Sequence, residues 1–124
     1  MASGSGTMRV LIAVHGDSVA TRFDLCTEVM IAEAEGGTLT GEPRTMLLSG
    51  PSAYEICGIA IKENVSVLVA GGMEEEHYEY LRWKKIKVVD RVIGRADDAV
   101  GLLIDGRLAE GSIIRAGADG ETPG

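Results

Sequence analysis

Hydrophobic residues near the start of the chain form long apolar runs rather than an alternating pattern. Met8 to Val14 is an almost continuous apolar run, which predicts a central strand buried on both faces. A polar loop from His15 to Asp24 follows it. The apolar pattern resumes from Leu25 to Glu35, which predicts a second strand.

A pair of glycines separates the second strand from a third. Gly36-Gly37 is typical of a tight turn between antiparallel strands. The return strand is predicted from Thr38 to Leu48, with an irregularity near Gly41 and Pro43. The first part of the chain is therefore predicted to be an antiparallel meander of three strands.

The pattern becomes helical after Pro51. Ser52 is followed three residues later by Glu55, which is the spacing of a capping box at a helix start. Apolar residues then recur with helical spacing, at Ala53, Ile56, Cys57, Ala60 and Ile61. Asn64 is predicted to end this helix.

Strands and helices alternate in the rest of the predicted domain. The pattern predicts strands at 65–70 and 86–89 and helices at 74–85 and 96–104. A meander followed by βαβ units makes an α/β fold, with a mixed five-stranded sheet and helices on its faces.

The length and composition of the chain fit one domain. It has 124 residues, of which 45% are hydrophobic, and that is enough apolar material for one core. Residues 1–7 are interpreted as an added leader or flexible arm, and residues 8–110 as the domain. The Gly, Asp, Thr and Pro content of residues 111–124 is typical of a disordered tail.

Charge and apolar run length exclude several classes of partner. The net charge of −7 disfavours binding to nucleic acid, because phosphate backbones would be repelled. No apolar run approaches the roughly 20 residues of a membrane span, so the prediction is a cytoplasmic protein without a membrane partner. The chain's two cysteines, Cys26 and Cys57, are not predicted to pair, because disulfides are rare in that compartment. The oligomeric state is not predicted.

The chain carries no familiar catalytic motif, and no enzyme activity is predicted. Asp17, Asp24 and Asp90 stand near strand ends, as carboxylates do in two-metal nucleases. Those enzymes also carry carboxylates on their strands, and the first strand here has none. A nuclease or small hydrolase is therefore disfavoured.

Four side chains have chemistry that could serve a ligand. Cys26 follows the 19–24 loop, where Arg22 could favour its thiolate, although a cysteine packed in the core is the alternative. His15 lies just beyond the first strand and could bind metal or remain a surface group. His77 is interpreted as a surface polar group, and Cys57 as a small buried hydrophobe.

Gly71-Gly72 stands where a buried strand ends. These glycines predict a sharp strand-to-helix turn and a close approach by another backbone segment. The glutamates that follow would repel a phosphate, so a phosphate cradle is disfavoured. Ligands of open α/β sheets bind beyond strand ends, so the Gly71-Gly72 segment and the 19–24 loop are predicted to meet in one crevice.

Several segments together resemble the dinitrogenase iron–molybdenum cofactor biosynthesis family, which includes NifX-like proteins and the C-terminal domain of NifB-type proteins. The resemblance covers about residues 8–111. It is carried by the opening strand Met8–Val14, by the loop Val19-Ala20-Thr21-Arg22-Phe23-Asp24, by Gly71-Gly72-Met73 and by Gly106-Arg107-Leu108.

The resemblance implies an RNase H-like three-layer fold without nuclease activity. It also implies transient binding of iron–sulfur or iron–molybdenum cluster precursors, with nitrogenase-assembly or other metallocluster proteins as partners. The residues expected to bind this cargo are Arg22, Asp24, Cys26, Gly71, Gly72 and Met73, with Cys26 and His15 as candidate metal ligands.

Arg22 departs from the family pattern, in which a histidine commonly stands at this position. An arginine stays protonated and cannot ligate a metal, but it can attract an anionic cluster. Two functions therefore remain open. One is a non-catalytic carrier of cluster precursors, and the other is a protein-interaction or regulatory domain of the same fold that has lost cluster binding.

Overall fold

The apolar run at the start of the chain forms the centre of a mixed sheet. The structure is a computed structural model that describes residues 7–114. Strand β1 (Thr7–His15) lies between an antiparallel neighbour, β3 (Glu28–Glu35), and a parallel neighbour, β6 (Val67–Val69). Because helices cover both faces of the sheet here, both faces of β1 are apolar, as the sequence predicted.

The meander is more broken than the sequence indicated. Gly36 and Gly37 have φ angles of 60° and 85° and form the predicted turn. The return strand is split into β4 (Thr38–Leu39) and β5 (Arg44–Leu47), which both pair with β3. The break falls at the predicted irregularity, where Gly41 has a φ of 74°.

The sheet has seven strands rather than the predicted five. Its main path has the order β4-β3-β1-β6-β7, where β7 is Lys87–Val89. Strand β5 pairs with β3, and the short strand β2 (Ser18–Val19) pairs with the end of β1. The second predicted strand begins at Glu28 rather than Leu25, because Phe23–Leu25 forms a single turn of 3-10 helix. The α/β class and the mixed sheet are confirmed.

The second half alternates helices and parallel strands as predicted. The elements are α1 (Ala53–Lys62), β6, α2 (Glu75–Trp83), β7 (Lys87–Val89) and α3 (Ala96–Ile104). The Glu55 backbone N–H donates to Ser52 Oγ at 3.1 Å, so half of the predicted capping box is formed. Asn64 ends the turn after α1 with a φ of 61°.

The helices lie on both sides of the sheet and make three layers. One core contains Leu11 of β1 with Ile56 of α1 and Leu81 of α2. The other contains Ile12 of β1 with Val100 of α3. Adjacent residues of β1 therefore enter opposite cores, as the pleat of a strand requires.

The two ends of the chain lie largely outside the described residues. This holds for residues 1–6 of the predicted leader and for residues 115–124 of the predicted tail. Within residues 111–114, the Ile114 N–H donates to the Ile93 carbonyl at 2.7 Å, and the Ser112 carbonyl accepts from the Ile93 N–H at 2.9 Å. No helix in the described part is long and apolar enough to cross a membrane.

Candidate functional site

The loops that follow β1 and β6 are joined at one rim of the sheet. Arg22 and Gly72 form an isolated parallel bridge. The Phe23 N–H donates to the Gly72 carbonyl at 2.8 Å, and the Gly72 N–H donates to the Thr21 carbonyl at 2.8 Å. The predicted meeting of the two segments is confirmed, and it follows from β1 and β6 being parallel neighbours.

Gly71 is a glycine because another backbone segment passes against it. A Cβ atom built on Gly71 would lie 2.2 Å from the Ala20 carbonyl oxygen and 2.7 Å from the Thr21 carbonyl oxygen. No side chain fits at that distance. The close backbone approach predicted for this glycine is therefore confirmed.

An open cleft of about 260 Å³ lies along this junction. We call it the rim cleft, and it is lined by Arg22, Asp24, Gly72, Met73 and Glu74. The Arg22 guanidinium donates twice to the Asp24 carboxylate, at 2.7 and 3.2 Å. The formal charge of the lining is −1, because one arginine faces two carboxylates.

The pairing in the rim cleft shifts the titration of both partners. The hydrogen bonds from Arg22 hold the pKa of the Asp24 carboxyl below its usual range. The same contact raises the pKa of Arg22. Both groups are in their charged forms at neutral pH, and the arginine is already occupied.

Cys26 is a core residue rather than a thiolate. Its side chain is buried, and the thiol donates to the Glu28 carbonyl, with Sγ 2.9 Å from the oxygen. Burial raises the pKa of the thiol. Of the two interpretations of Cys26, the structure supports the cysteine packed in the core, and Arg22 does not favour a thiolate because its guanidinium is held by Asp24.

His15 stands apart from the rim cleft. It is exposed and pairs with Ser18 where β1 meets β2. Within residues 7–114, the only cluster of three or more potential metal-binding side chains consists of Glu74, Glu76 and His77. His15 and Cys26 are not in it, so their assignment as metal ligands remains a prediction.

His77 is the functional candidate that the sequence reasoning missed. It was interpreted as a surface group, but only 5% of its surface is exposed. Its ring lies 5.0 Å from the Tyr54 ring, edge to face, and 5.9 Å from the Phe23 ring. One signal was available: His77 is four residues before the buried Leu81, which places both on the same face of α2.

A second cavity of about 470 Å³ opens beside His77. We call it the histidine pocket, and it is lined by Tyr54, Cys57, Gly58, Glu76, His77 and Tyr80. The Tyr54 hydroxyl donates to Glu76 at 2.6 Å, which raises the pKa of the tyrosine. Burial raises the pKa of Cys57 to about 11, so this thiol is protonated at neutral pH.

The three aspartates considered for a nuclease are not gathered together. Asp17 lies 3.8 Å from Arg95, Asp24 is paired with Arg22, and Asp90 lies 3.5 Å from a nitrogen of Arg91. Each carboxylate thus faces an arginine of its own. This arrangement does not suit a pair of catalytic metal ions.

Comparison with known proteins finds one family. The family model described as dinitrogenase iron-molybdenum cofactor matches residues 7–106. A search of the curated proteins finds no match.

Solved structures share the fold at low sequence identity. The protein PH0822 is 21% identical with a TM-score of 0.75, and the match covers 83% of this chain and 94% of that one. A Methanocaldococcus jannaschii protein provisionally described as a dinitrogenase is 23% identical with a TM-score of 0.68, covering 84% and 94%. The apo form of the orange protein from Desulfovibrio gigas is 18% identical with a TM-score of 0.67, covering 83% and 92%.

Proposed function

This chain belongs to the dinitrogenase iron–molybdenum cofactor family, and on that premise we propose that it is a non-catalytic carrier. Its cargo is an iron–sulfur or iron–molybdenum cluster precursor, bound transiently in the rim cleft. One observation carries the proposal: the Arg22–Gly72 bridge joins two loops into a cleft at the strand ends, where α/β sheets bind ligands. One solved structure of similar fold is described as an apo form, a term used for a protein without its cofactor.

The side chains of the rim cleft suit non-covalent holding of a preassembled cluster. Arg22 offers N–H donors to the sulfide or oxygen atoms of an anionic cluster, and Met73 offers a soft thioether surface. Cys26 contributes no thiolate, because its thiol points to backbone carbonyls. Such a cargo would leave easily, as transfer to a metallocluster-assembly partner requires.

Arg22 must exchange one partner for another when cargo binds. Its guanidinium is bound to Asp24, and solvent reaches both side chains, since 59% of the arginine side chain and 31% of the aspartate side chain are exposed. Exposed ion pairs contribute little stability, so an anionic cluster can displace the carboxylate at small cost. Glu74 opposes this step, because it adds a negative charge to the same cleft.

Anaerobic reconstitution tests the carrier proposal. The full chain is incubated with ferrous iron and sulfide, or with tetrathiomolybdate, then gel-filtered and read by visible absorption. We expect colour to stay with the protein and with Cys26→Ala, and to be lost in Arg22→Ala. Arg44→Ala is the matched control, because Arg44 also forms an exposed ion pair, with Glu63 at 3.0 Å. A colourless wild type, or equal loss in both arginine variants, would contradict the proposal.

A second candidate function has its own observation. The rim cleft holds one cation, which is already paired, and no thiolate or histidine. This favours a protein-interaction or regulatory domain that has lost cluster binding. The variant Arg22→His separates the two functions. If wild type stays colourless and Arg22→His retains iron and sulfide, the arginine at this position is what prevents cluster binding. A stable metal-free partner in a pull-down from the native host would then support the second candidate.

A further inference from the structure

We propose that Glu74, Glu76 and His77 bind a single divalent transition-metal ion at the start of α2. One ligand atom from each side chain can be chosen so that all three lie within 4.8 Å of one another. This site does not depend on the carrier proposal, because it shares only Glu74 with the rim cleft. Either proposal can fail alone.

The state of His77 carries the proposal. Its side chain is about nineteen-twentieths buried, and it lines the histidine pocket beside Glu76. Among the side-chain hydrogen bonds within residues 7–114, none involves its imidazole. Within residues 7–114, Asp90 Oδ1 is the one fully buried polar side-chain atom without a partner, so the His77 ring nitrogens are not sealed and an ion can reach them from the histidine pocket. A metal ion is a partner that an accessible, unprotonated imidazole nitrogen binds well.

Acidic residues are common at helix starts, and alone they would not indicate a metal site. Glu74 and Glu76 favour the positive end of the helix dipole whether or not an ion binds. The buried imidazole next to them has no such explanation. Its position within reach of two carboxylates distinguishes this helix start from that of α3, where Asp97 and Asp98 have no histidine nearby.

Two of the three ligands are already oriented. The His77 ring is held between the Phe23 and Tyr54 rings. The Tyr54 hydroxyl holds one oxygen of Glu76 at 2.6 Å, which leaves the other oxygen for an ion. Hydrogen bonds of this kind to a ligating carboxylate typically support metal affinity.

The third ligand has only to move a short way. Glu74 and His77 are three residues apart, so they share a face of the helix start. Ligands of a tetrahedral ion with bonds of ~2.1 Å lie about 3.4 Å apart, so each present spacing, which is at most 4.8 Å, has to close by no more than about 1.4 Å. Glu74 is exposed and can rotate to meet an ion.

The donor set indicates which ions fit. One imidazole nitrogen and two carboxylate oxygens suit zinc, ferrous iron, cobalt or manganese. Soft ions such as cuprous copper favour thiolates, and the nearby Cys57 thiol stays protonated. Water would complete the coordination, since the site opens to the histidine pocket.

Titration with Zn²⁺ by calorimetry and with Co²⁺ by visible absorption tests this site. The full chain should bind one ion of each kind. We expect His77→Gln to abolish the Co²⁺ absorption and Glu74→Gln to weaken Zn²⁺ binding at least about tenfold. Tyr54→Phe should weaken it by about tenfold, through the loss of the hydrogen bond to Glu76.

Two control variants keep the test sharp. His15→Gln removes the other, exposed histidine, and Glu79→Gln removes another glutamate of α2. Both should bind metal like wild type. If His77→Gln unfolds, Glu74→Gln and Glu76→Gln still decide, because both side chains are exposed. The site is excluded if wild type binds no ion, or if the glutamate variants bind as tightly as wild type.

Discussion

The rim cleft and the histidine pocket each have a lining residue in contact with Phe23, and they differ in how their polar groups are satisfied. The Phe23 backbone is bound to Gly72 in the rim cleft, while its ring packs against His77. In the rim cleft, the exposed Arg22 and the half-buried Asp24 are bound to each other. In the histidine pocket, a buried imidazole has no hydrogen-bond partner among residues 7–114.

This difference indicates what each region can hold. A paired, exposed arginine offers a weak and exchangeable contact, which suits a large preassembled cargo that must leave again. A buried imidazole beside carboxylates can bind a small ion, and because its ring is already oriented, little side-chain freedom is lost on binding. A count of charged residues alone would rank the rim cleft first and overlook His77.

The substitution Gly71→Ala should have the largest effect on stability, because it disrupts the packing of the Gly71-Gly72 segment against the 19–24 loop. Its Cβ would lie 2.2 Å from the Ala20 carbonyl oxygen, so one of the two backbone segments must move. We expect the free energy of unfolding to fall by about 4 kcal/mol, near the upper end for single substitutions. Urea unfolding followed by circular dichroism measures it.

Gly101→Ala is the matched control for that substitution. Gly101 lies within α3, and a Cβ there meets nothing within 4 Å. Alanine is the better helix former, so this variant should be more stable by about 0.5–1 kcal/mol. If the two variants changed stability equally, the close packing at Gly71 would not exist in solution. The rim cleft would then not have the walls that the structure shows.

The pH dependence of stability should single out Cys57 in the wall of the histidine pocket. The folded state raises the pKa of this thiol to about 11, so folding favours the protonated form. That contribution is complete below the ordinary thiol pKa of 9.0 and is lost as pH rises toward 11. We expect the difference in unfolding free energy between wild type and Cys57→Ala to shrink by up to about 2 kcal/mol over this range.

The other groups that titrate in this range are common to both proteins, so their contributions cancel in the difference. Parallel stability curves from pH 8 to 11 would contradict the prediction. They would show that water reaches Cys57 freely and that the histidine pocket is more open than the structure shows. The histidine pocket and the rim cleft would then differ less in how far solvent reaches their side chains.

Most of the fold could be predicted because it rests on local patterns. The run from Met8 to Val14, the capping residue Ser52 and the helix at 96–104 each carry their signal within a few residues. The split of the return strand and the 3-10 turn at Phe23–Leu25 were not predicted in full. Both depend on which strand edges and which core the segment meets, and that is tertiary information.

The parts of the candidate site whose position follows from the strand order were predicted, and the parts whose state depends on side-chain packing were missed. Parallel neighbours bring their following loops to one rim, so the Arg22–Gly72 junction followed from the strand order. Burial of His77 depends on Phe23 and Tyr54, which come from distant parts of the chain. The state of Cys26 likewise depends on carbonyls of β1 and β3, which no spacing in the sequence reveals.

The smallest expected effect concerns the pair in the rim cleft, and it decides whether Arg22 is available to cargo. In Arg22→Ala, the pKa of the Asp24 carboxyl should rise toward its usual value, because the hydrogen bonds that lower it are gone. In wild type, the lowered pKa of the Asp24 carboxyl stabilises the folded state at pH values above the pKa of the unfolded state. This contribution is lost as pH falls through the folded-state pKa. Because solvent reaches both groups, the unfolding midpoint at pH 7 should not change measurably.

A carboxyl titration followed by NMR measures the pKa, with Arg44→Ala as the variant that should leave Asp24 unaffected. If the Asp24 pKa does not move in Arg22→Ala, the pair is not formed in solution. Arg22 would then be a free cation at the strand ends. The carrier function would gain support over the interaction domain, since the cleft would hold an unpaired donor, and the contrast with the unpartnered imidazole of His77 would disappear.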